Sequence, residues 1–340
     1  MADNKNTLPR TMTAWAQARY GGPETLVATE VPVPSPGKGE VLVRLRATGL
    51  NNGDVRVMRG EPLMLRLVFG LRRPRNPVRG MDAAATVVAV GPGVDALAVG
   101  DEVVGELPGG GLAAYAVVAA SRLAKRPAAL DAVTAATLPV AAGTAWQALA
   151  SAAKAGQSDL DGRRVLVIGA SGGVGTFAVQ LAALRGAEVH ALCGERNRAL
   201  VEGIGATRTW EYRTTDAAAL PAASYDVVVD IAGTAPLRVL QRLVVDGGVV
   251  ALVSGEGGRV LGPIGRILGA IVLGIGARRH LVAVAAVAKP DVIAELATLA
   301  ADGRITPVLE RTWPFEQAGD AMAHMDAGHA VGKVVVLAGE

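Results

Sequence analysis

The chain carries one cysteine, Cys193, in 340 residues. A lone thiol excludes an intramolecular disulfide and a cysteine-rich zinc lobe. Charge is also sparse, at 19% of residues with a net of +3. That is too little charge, beside 51% hydrophobic residues, for a disordered chain. A net of +3 does not by itself predict a nucleic-acid or membrane partner. The glycines have no three-residue period, which excludes a collagen-like chain. No apolar run is long enough for a membrane helix, which needs about 20 residues. The most apolar late stretch, 267–277 (ILGAIVLGIGA), is bracketed by Arg266 and Arg278-Arg279 and reads as a buried helix or strand. The first ten residues, MADNKNTLPR, lack the apolar core of a secretory signal. The expectation is a soluble cytoplasmic protein with a small-molecule substrate, binding neither nucleic acid nor membrane.

The length predicts two domains. In the first third, residues 41–47 (VLVRLRA) alternate with period two, as in a half-buried antiparallel strand. Further short strands, at 83–90, 103–104 and 113–119, are punctuated by Gly91-Pro92-Gly93 and Gly109-Gly110-Gly111. Such texture predicts a small β-rich, barrel-like domain. From Asp131 onward, helical patterns alternate with buried strands at 164–168, 188–192, 225–231 and 249–253. That alternation predicts an α/β doubly wound parallel sheet.

The informative stretch is 165–175, VLVIGASGGVG, which opens a helix. Ala170, Gly172 and Gly175 have the spacing of a dinucleotide fingerprint, with Ala in the first Gly place. Gly172 lets the backbone approach a pyrophosphate, and Gly175 lets the helix pack close to the sheet. Ser171, Gly173 and Val174 complete the turn, and the helix N-terminus offers N–H groups to phosphates. A plain Gly-rich turn is the bland alternative. The same letters also spell G-x-S-x-G, the nucleophile elbow of hydrolases, with His280, His324 and His329 downstream. The β-rich first third and the continuing Val174-Gly175 speak against that rival.

Cofactor choice is read after the second parallel strand. Gly194 stands where an NAD enzyme usually carries an acid. Arg196 and Arg198 nearby can pair with a 2′-phosphate, while Glu195 would repel it. The balance predicts NADPH over NADH.

On these residues the chain resembles a zinc-free medium-chain dehydrogenase/reductase of the quinone oxidoreductase type. Beyond the fingerprint, the resemblance is carried by Leu50-Asn51-Asn52-Gly53-Asp54, Met58-Arg59-Gly60, Gly91-Pro92-Gly93-Val94, Val99-Gly100-Asp101-Glu102-Val103, Leu138-Pro139-Val140-Ala141 and Gly332-Lys333-Val334-Val335. Residues 58–77 with 193–197 are closer to the branch called NAD(P)-dependent alcohol dehydrogenase. The resemblance implies a GroES-like catalytic domain (1–126 and 288–340) around a Rossmann domain (127–287). It implies NADPH-dependent reduction of quinones or α,β-unsaturated carbonyls by a homodimer paired through the last strand of the cofactor sheet, near 280–285. Zinc-using relatives carry Cys, His-Glu and Cys where this chain has Asn51, Met81-Asp82 and Val140, so no metal is expected. Asn51 would line the nicotinamide and substrate, with Asn51 or Arg56 holding the oxyanion. Thr144 would touch the nicotinamide side, Tyr212 the adenosine phosphate, and Gly233 and Ser254 the nicotinamide ribose. Arg66, Arg72, Arg73, Arg75 and Arg79 read as a solvated basic surface. A non-catalytic NADPH-binding protein remains the reading from another class.

Overall fold

The structure is a computed structural model and describes residues 8–151, 160–253, 259–328 and 330–339. Seven strands come first: β1 Thr11–Ala16, β2 Val27–Pro32, β3 Glu40–Leu50, β4 Asp82–Val90, β5 Glu102–Glu106, β6 Tyr115–Ala119 and β7 Leu123–Lys125. Six more follow: β8 Arg164–Ile168, β9 Glu188–Cys193, β10 Arg208–Glu211, β11 Tyr225–Asp230, β12 Val244–Leu252 and β13 His280–Ala283. The last two are β14 Leu309–Trp313 and β15 Lys333–Leu337. The helices are α1 Asn52–Arg59, α2 Leu65–Phe69, α3 Ala132–Ala136, α4 Pro139–Ala150, α5 Gly173–Leu184, α6 Arg198–Gly203, α7 Leu237–Leu243, α8 Ile264–Gly274, α9 Pro290–Ala301 and α10 Ala318–Asp326.

A seven-stranded sheet runs β14-β15-β3-β4-β5-β7, with β6 also on β3. It is GroES-like and mostly antiparallel; only β14 and β15 run parallel. The chain reaches it twice, before residue 126 and after residue 308. Strand β3 is central. It bonds β4, β6 and β15, and only Glu40, Arg44 and Arg46, all on one face, escape burial. The half-buried expectation for 41–47 holds: Val41, Val43, Leu45 and Ala47 are buried on one face, while Arg44 and Arg46 lie on the other.

The other large sheet is Rossmann-like, six parallel strands in the order β10-β9-β8-β11-β12-β13. Its central strands have aliphatic middles: Val165, Leu166, Val167, Val227, Val228 and Val229 are fully buried. Helices cover both faces, as a parallel sheet requires. After β8 the chain builds outward to β9 and β10, then returns to the other side of β8 as β11. The switch point therefore lies between β8 and β11, where such sheets bind ligands at their carboxyl ends.

Two expectations need correction. The 267–277 stretch is helical, but it is not buried. In α8 only Ala270 is buried, whereas Leu268, Ile271, Val272 and Ile275 face out. The small residues Gly269 and Ala270 let the helix seat closely beside α7, which turns the larger aliphatic side chains away. Arg79, expected on the surface, is buried; it donates to the Asn76 carbonyl and feels the charge of Asp54.

Candidate active site

Two clefts open along the carboxyl edge of the parallel sheet. One, about 580 Å³, is lined by Gly169 and Ser171 after β8, Gly194 after β9, Arg213 after β10 and Ala232 after β11. The other, about 690 Å³, shares Ser171, Gly194, Tyr212 and Arg213, adds Glu195 and Arg196, and reaches Val331 before β15. Of the expected cofactor residues, Ser171, Gly194, Arg196 and Tyr212 line these clefts.

The glycines of the fingerprint have different physical reasons. A Cβ on Gly175 would lie 2.2 Å from the Gly169 carbonyl oxygen, so the strand-helix packing itself demands glycine. A Cβ on Gly172 would meet nothing nearer than that same oxygen at 3.7 Å. The chain leaves that space open at the N-cap of α5, where N–H groups without helical partners and the positive dipole end favour an anion. A pyrophosphate fits this cradle. Ala170 is buried beneath it, and Val174 packs its helix onto the core.

Two arginines, Arg196 and Arg213, and two acids, Glu195 and Asp216, line the clefts around Gly194. Tyr212 stands half-exposed beside it, with the Arg213 guanidinium 5.2 Å from its ring centre. Arg196 lines the second cleft. Arg198 does not line either cleft. It donates to Thr209 at 2.9 Å and pairs with Glu195 at 3.3 Å, which offsets the carboxylate expected to repel a phosphate. Arg213 was missed from sequence because it follows Tyr212 outside any spaced motif. Cys193 is buried, and burial pushes its thiol up to about 11.

Of the residues that the resemblance assigns to the nicotinamide, Thr144 is buried on α4 next to Gly143, whose Cβ position is open to 4 Å. Gly233 has a positive φ of 74° and donates its N–H to Asp230. Asp230 is buried, and burial raises its pKa; Arg266 from α8 lies 2.7 Å away. Ser254 lies outside the described residues, as does His329.

Asn51 caps α1 and sits in a buried polar knot. Its Nδ2 donates to Asp82 Oδ2 at 2.9 Å, and its Oδ1 accepts from Lys333 Nζ at 2.6 Å. Lys333 also donates to Asp82 at 2.9 Å and to the Leu50 carbonyl at 3.1 Å. The other Asp82 oxygen accepts from Val140 N–H. Asp54 closes the knot, accepting from Asn51 and Gly80 N–H. Burial and the Asp82 carboxylate raise its pKa to about 6. Sequence alone showed Lys333 and Asp82 as motif letters, with no sign that they meet. Arg56, also on α1, is exposed.

The rival hydrolase constellation does not assemble among the described residues. His324 pairs with Glu310 at 2.9 Å, and His280 begins β13; neither lines a cleft with Ser171. No three His, Cys, Asp or Glu side chains gather into a metal-holding group among the described residues.

Comparison with known proteins agrees with this architecture. Residues 37–128 match the alcohol dehydrogenase GroES-like domain, and residues 204–336 match the zinc-binding dehydrogenase family. A chloroplast envelope quinone oxidoreductase homolog of Arabidopsis thaliana is 36% identical over 93% of this chain and 95% of its own length. The NADPH-dependent alkenal/one oxidoreductase of the same plant is 30% identical, over 97% and 80%. The quinone oxidoreductase of Coxiella burnetii shares the fold, with a TM-score of 0.83 at 24% identity over 97% of this chain and 100% of that one. With that coverage and identity, the chain belongs to the quinone oxidoreductase-like family of medium-chain dehydrogenase/reductases, a family of oxidoreductases.

Proposed function

We propose that this protein is a zinc-independent reductase that uses NADPH to deliver hydride to a quinone or an α,β-unsaturated carbonyl. The observation that carries the reading is the pair Arg196 and Arg213 on the walls of the clefts around Gly194, with the open cradle at Gly172 beside them. A 2′-phosphate between Arg196 and Arg213 would find guanidinium donors where an NAD enzyme carries an acid. Gly194 leaves room for it, and Tyr212 covers the neighbouring ribose. Arg198 serves by holding Glu195.

Bound NADPH supplies the hydride. The chain supplies position and polarity. Asn51 is held at both ends of its amide, by Asp82 and Lys333. Its second N–H has only a 3.4 Å contact with the Gly49 carbonyl, and we assign that donor to the substrate oxygen. Arg56 is the alternative donor. Thr144, Gly233 and Ser254 belong to the nicotinamide side in this reading. The catalytic unit comprises 1–126 and 288–340, the cofactor unit 127–287, and the location is cytoplasmic.

The test is steady-state NADPH oxidation against a panel of simple quinones and enones, with zinc measured in the same sample. Turnover without stoichiometric zinc is expected. Absence of turnover across the panel would leave a non-catalytic binder. Arg196→Ala and Arg213→Ala should raise KM for NADPH far more than for NADH; equal effects would remove both from phosphate recognition.

A further inference from the structure

The whole-chain charge of +3 conceals a strong local imbalance. Residues 61–80 carry five arginines against one acid, Glu61. Residues 259–289 carry four arginines and one lysine against no acid. The two segments hold a net +9 and the rest of the chain is negative. Asp230 and Asp246, from outside, pair with Arg266 and with Arg278 and Arg279, which still leaves +7.

These two segments are joined in space. Leu63 N–H donates to the Arg259 carbonyl and Met64 N–H to the Val260 carbonyl, while Arg259 pairs with Glu61 at 2.9 Å. They also hold the largest concentration of exposed aliphatic side chains among the described residues. Leu67 and Val68 on α2, and Leu268, Ile271 and Val272 on α8, are each more than half exposed; Ile275, just past α8, reaches 78%. Positions 268, 271, 272 and 275 follow the i, i+3, i+4, i+7 spacing of one helix face. That face points away from the protein, while Arg266 and Ala270 point inward.

Exposed aliphatic faces of this extent mark an interaction surface. The charge decides which. A second copy stacked on the α2 and α8 face, as distinct from one paired through the β13 edge, would set the exposed Arg72, Arg73 and Arg75 of both copies against each other. An anionic bilayer surface offers both what the aliphatic face and the arginines need: an apolar boundary and negative headgroups. No helix is long and apolar enough to cross a membrane among the described residues. We propose that α2 and α8 form a peripheral docking face for an anionic lipid bilayer, with the α8 aliphatic stripe entering the headgroup boundary and the flanking arginines against the lipid phosphates. This inference is independent of the substrate assigned above.

The test uses the full chain and two sets of vesicles, phosphatidylcholine mixed with phosphatidylglycerol and phosphatidylcholine alone. Co-sedimentation with the mixed vesicles, weakened by salt, is expected. Arg72→Gln with Arg73→Gln should weaken it about thirtyfold, at about 1 kcal/mol per arginine near the surface. Ile271→Ser with Ile275→Ser should abolish retention while leaving NADPH oxidation with a water-soluble quinone unchanged. No sedimentation of the wild type, or undiminished sedimentation of both variants, overturns the proposal. So does a halved mass of the Ile271→Ser/Ile275→Ser variant in light scattering, which would assign the face to a second copy. A wild type that binds vesicles but turns over no quinone leaves the docking face standing and removes the enzymatic reading.

Discussion

Lys333 Nζ lies 2.9 Å from Asp82 Oδ2, with both side chains almost wholly buried. The ammonium thus stands among Asn51, Asp82 and the Leu50 carbonyl, where the resemblance places the metal ligands of zinc-using relatives. A positive charge is present at that spot, supplied by the chain.

Breaking this pair should be costly, because it strands a carboxylate away from water. Lys333→Met is expected to destabilise the fold by about 3–5 kcal/mol in urea unfolding. Adding Asp82→Asn should recover part of the loss. A change below about 1 kcal/mol would mean that the pair does not act as a buried ion pair.

Asp54 gives the stability a pH dependence of definite sign. Its folded pKa of about 6 exceeds the ordinary aspartate value of 3.8. The native state therefore binds more protons between those values, and stability should fall as pH rises from 4 to 6, by up to about 3 kcal/mol. Asp54→Asn should flatten that slope even though it leaves one N–H without an acceptor. Urea midpoints at several pH values measure both; an unchanged slope in the variant would assign the titration to another group.

Gly172 and Gly175 should respond differently to valine. Gly172→Val is expected to keep its thermal melt and lose NADPH binding, because its side chain fills the cradle and touches little of the protein. Gly175→Val is expected to melt early, since its Cβ would sit 2.2 Å from a carbonyl oxygen. Fluorescence titration and circular dichroism separate the two. Normal binding by Gly172→Val would remove the pyrophosphate from this turn.

Strand β13 bonds β12 on one side and is the last strand of its sheet. An open edge is an invitation to pair, and isologous pairing with a second copy closes it. Light scattering is expected to give about twice the 34.5 kDa chain mass. Val282→Pro should shift that dimer toward monomer by removing one donor. A wild-type monomer, or an unaffected dimer, would place no interface at this edge.

Much of the parallel sheet was legible in the sequence because its central strands hold unbroken aliphatic runs, as in 165–168 and 227–229. Strands β10 and β14 were not. RTWE and LERTW carry charges and lie at sheet edges, where neither alternation nor burial leaves a pattern. The cradle was readable because Gly172 and Gly175 are local in sequence. The knot was not, since Asn51, Asp82 and Lys333 are brought together only by β3, β4 and β15. Charge misled for a related reason: a chain-wide sum says nothing of two segments separated by nearly 180 residues and joined by backbone hydrogen bonds.

The Gly332 N–H donates to the Ser171 carbonyl at 2.9 Å, and Gly172 and Gly332 form a bridge between the phosphate turn and the approach to β15. One residue later, Lys333 reaches Asn51. The two sheets are thus riveted at the floor of the cleft, directly under the cradle. Opening and closing around a substrate must pivot about this rivet rather than through it. The span from the Gly172 turn to the Asn51 amide is then set by the scaffold's own bonds rather than by a ligand.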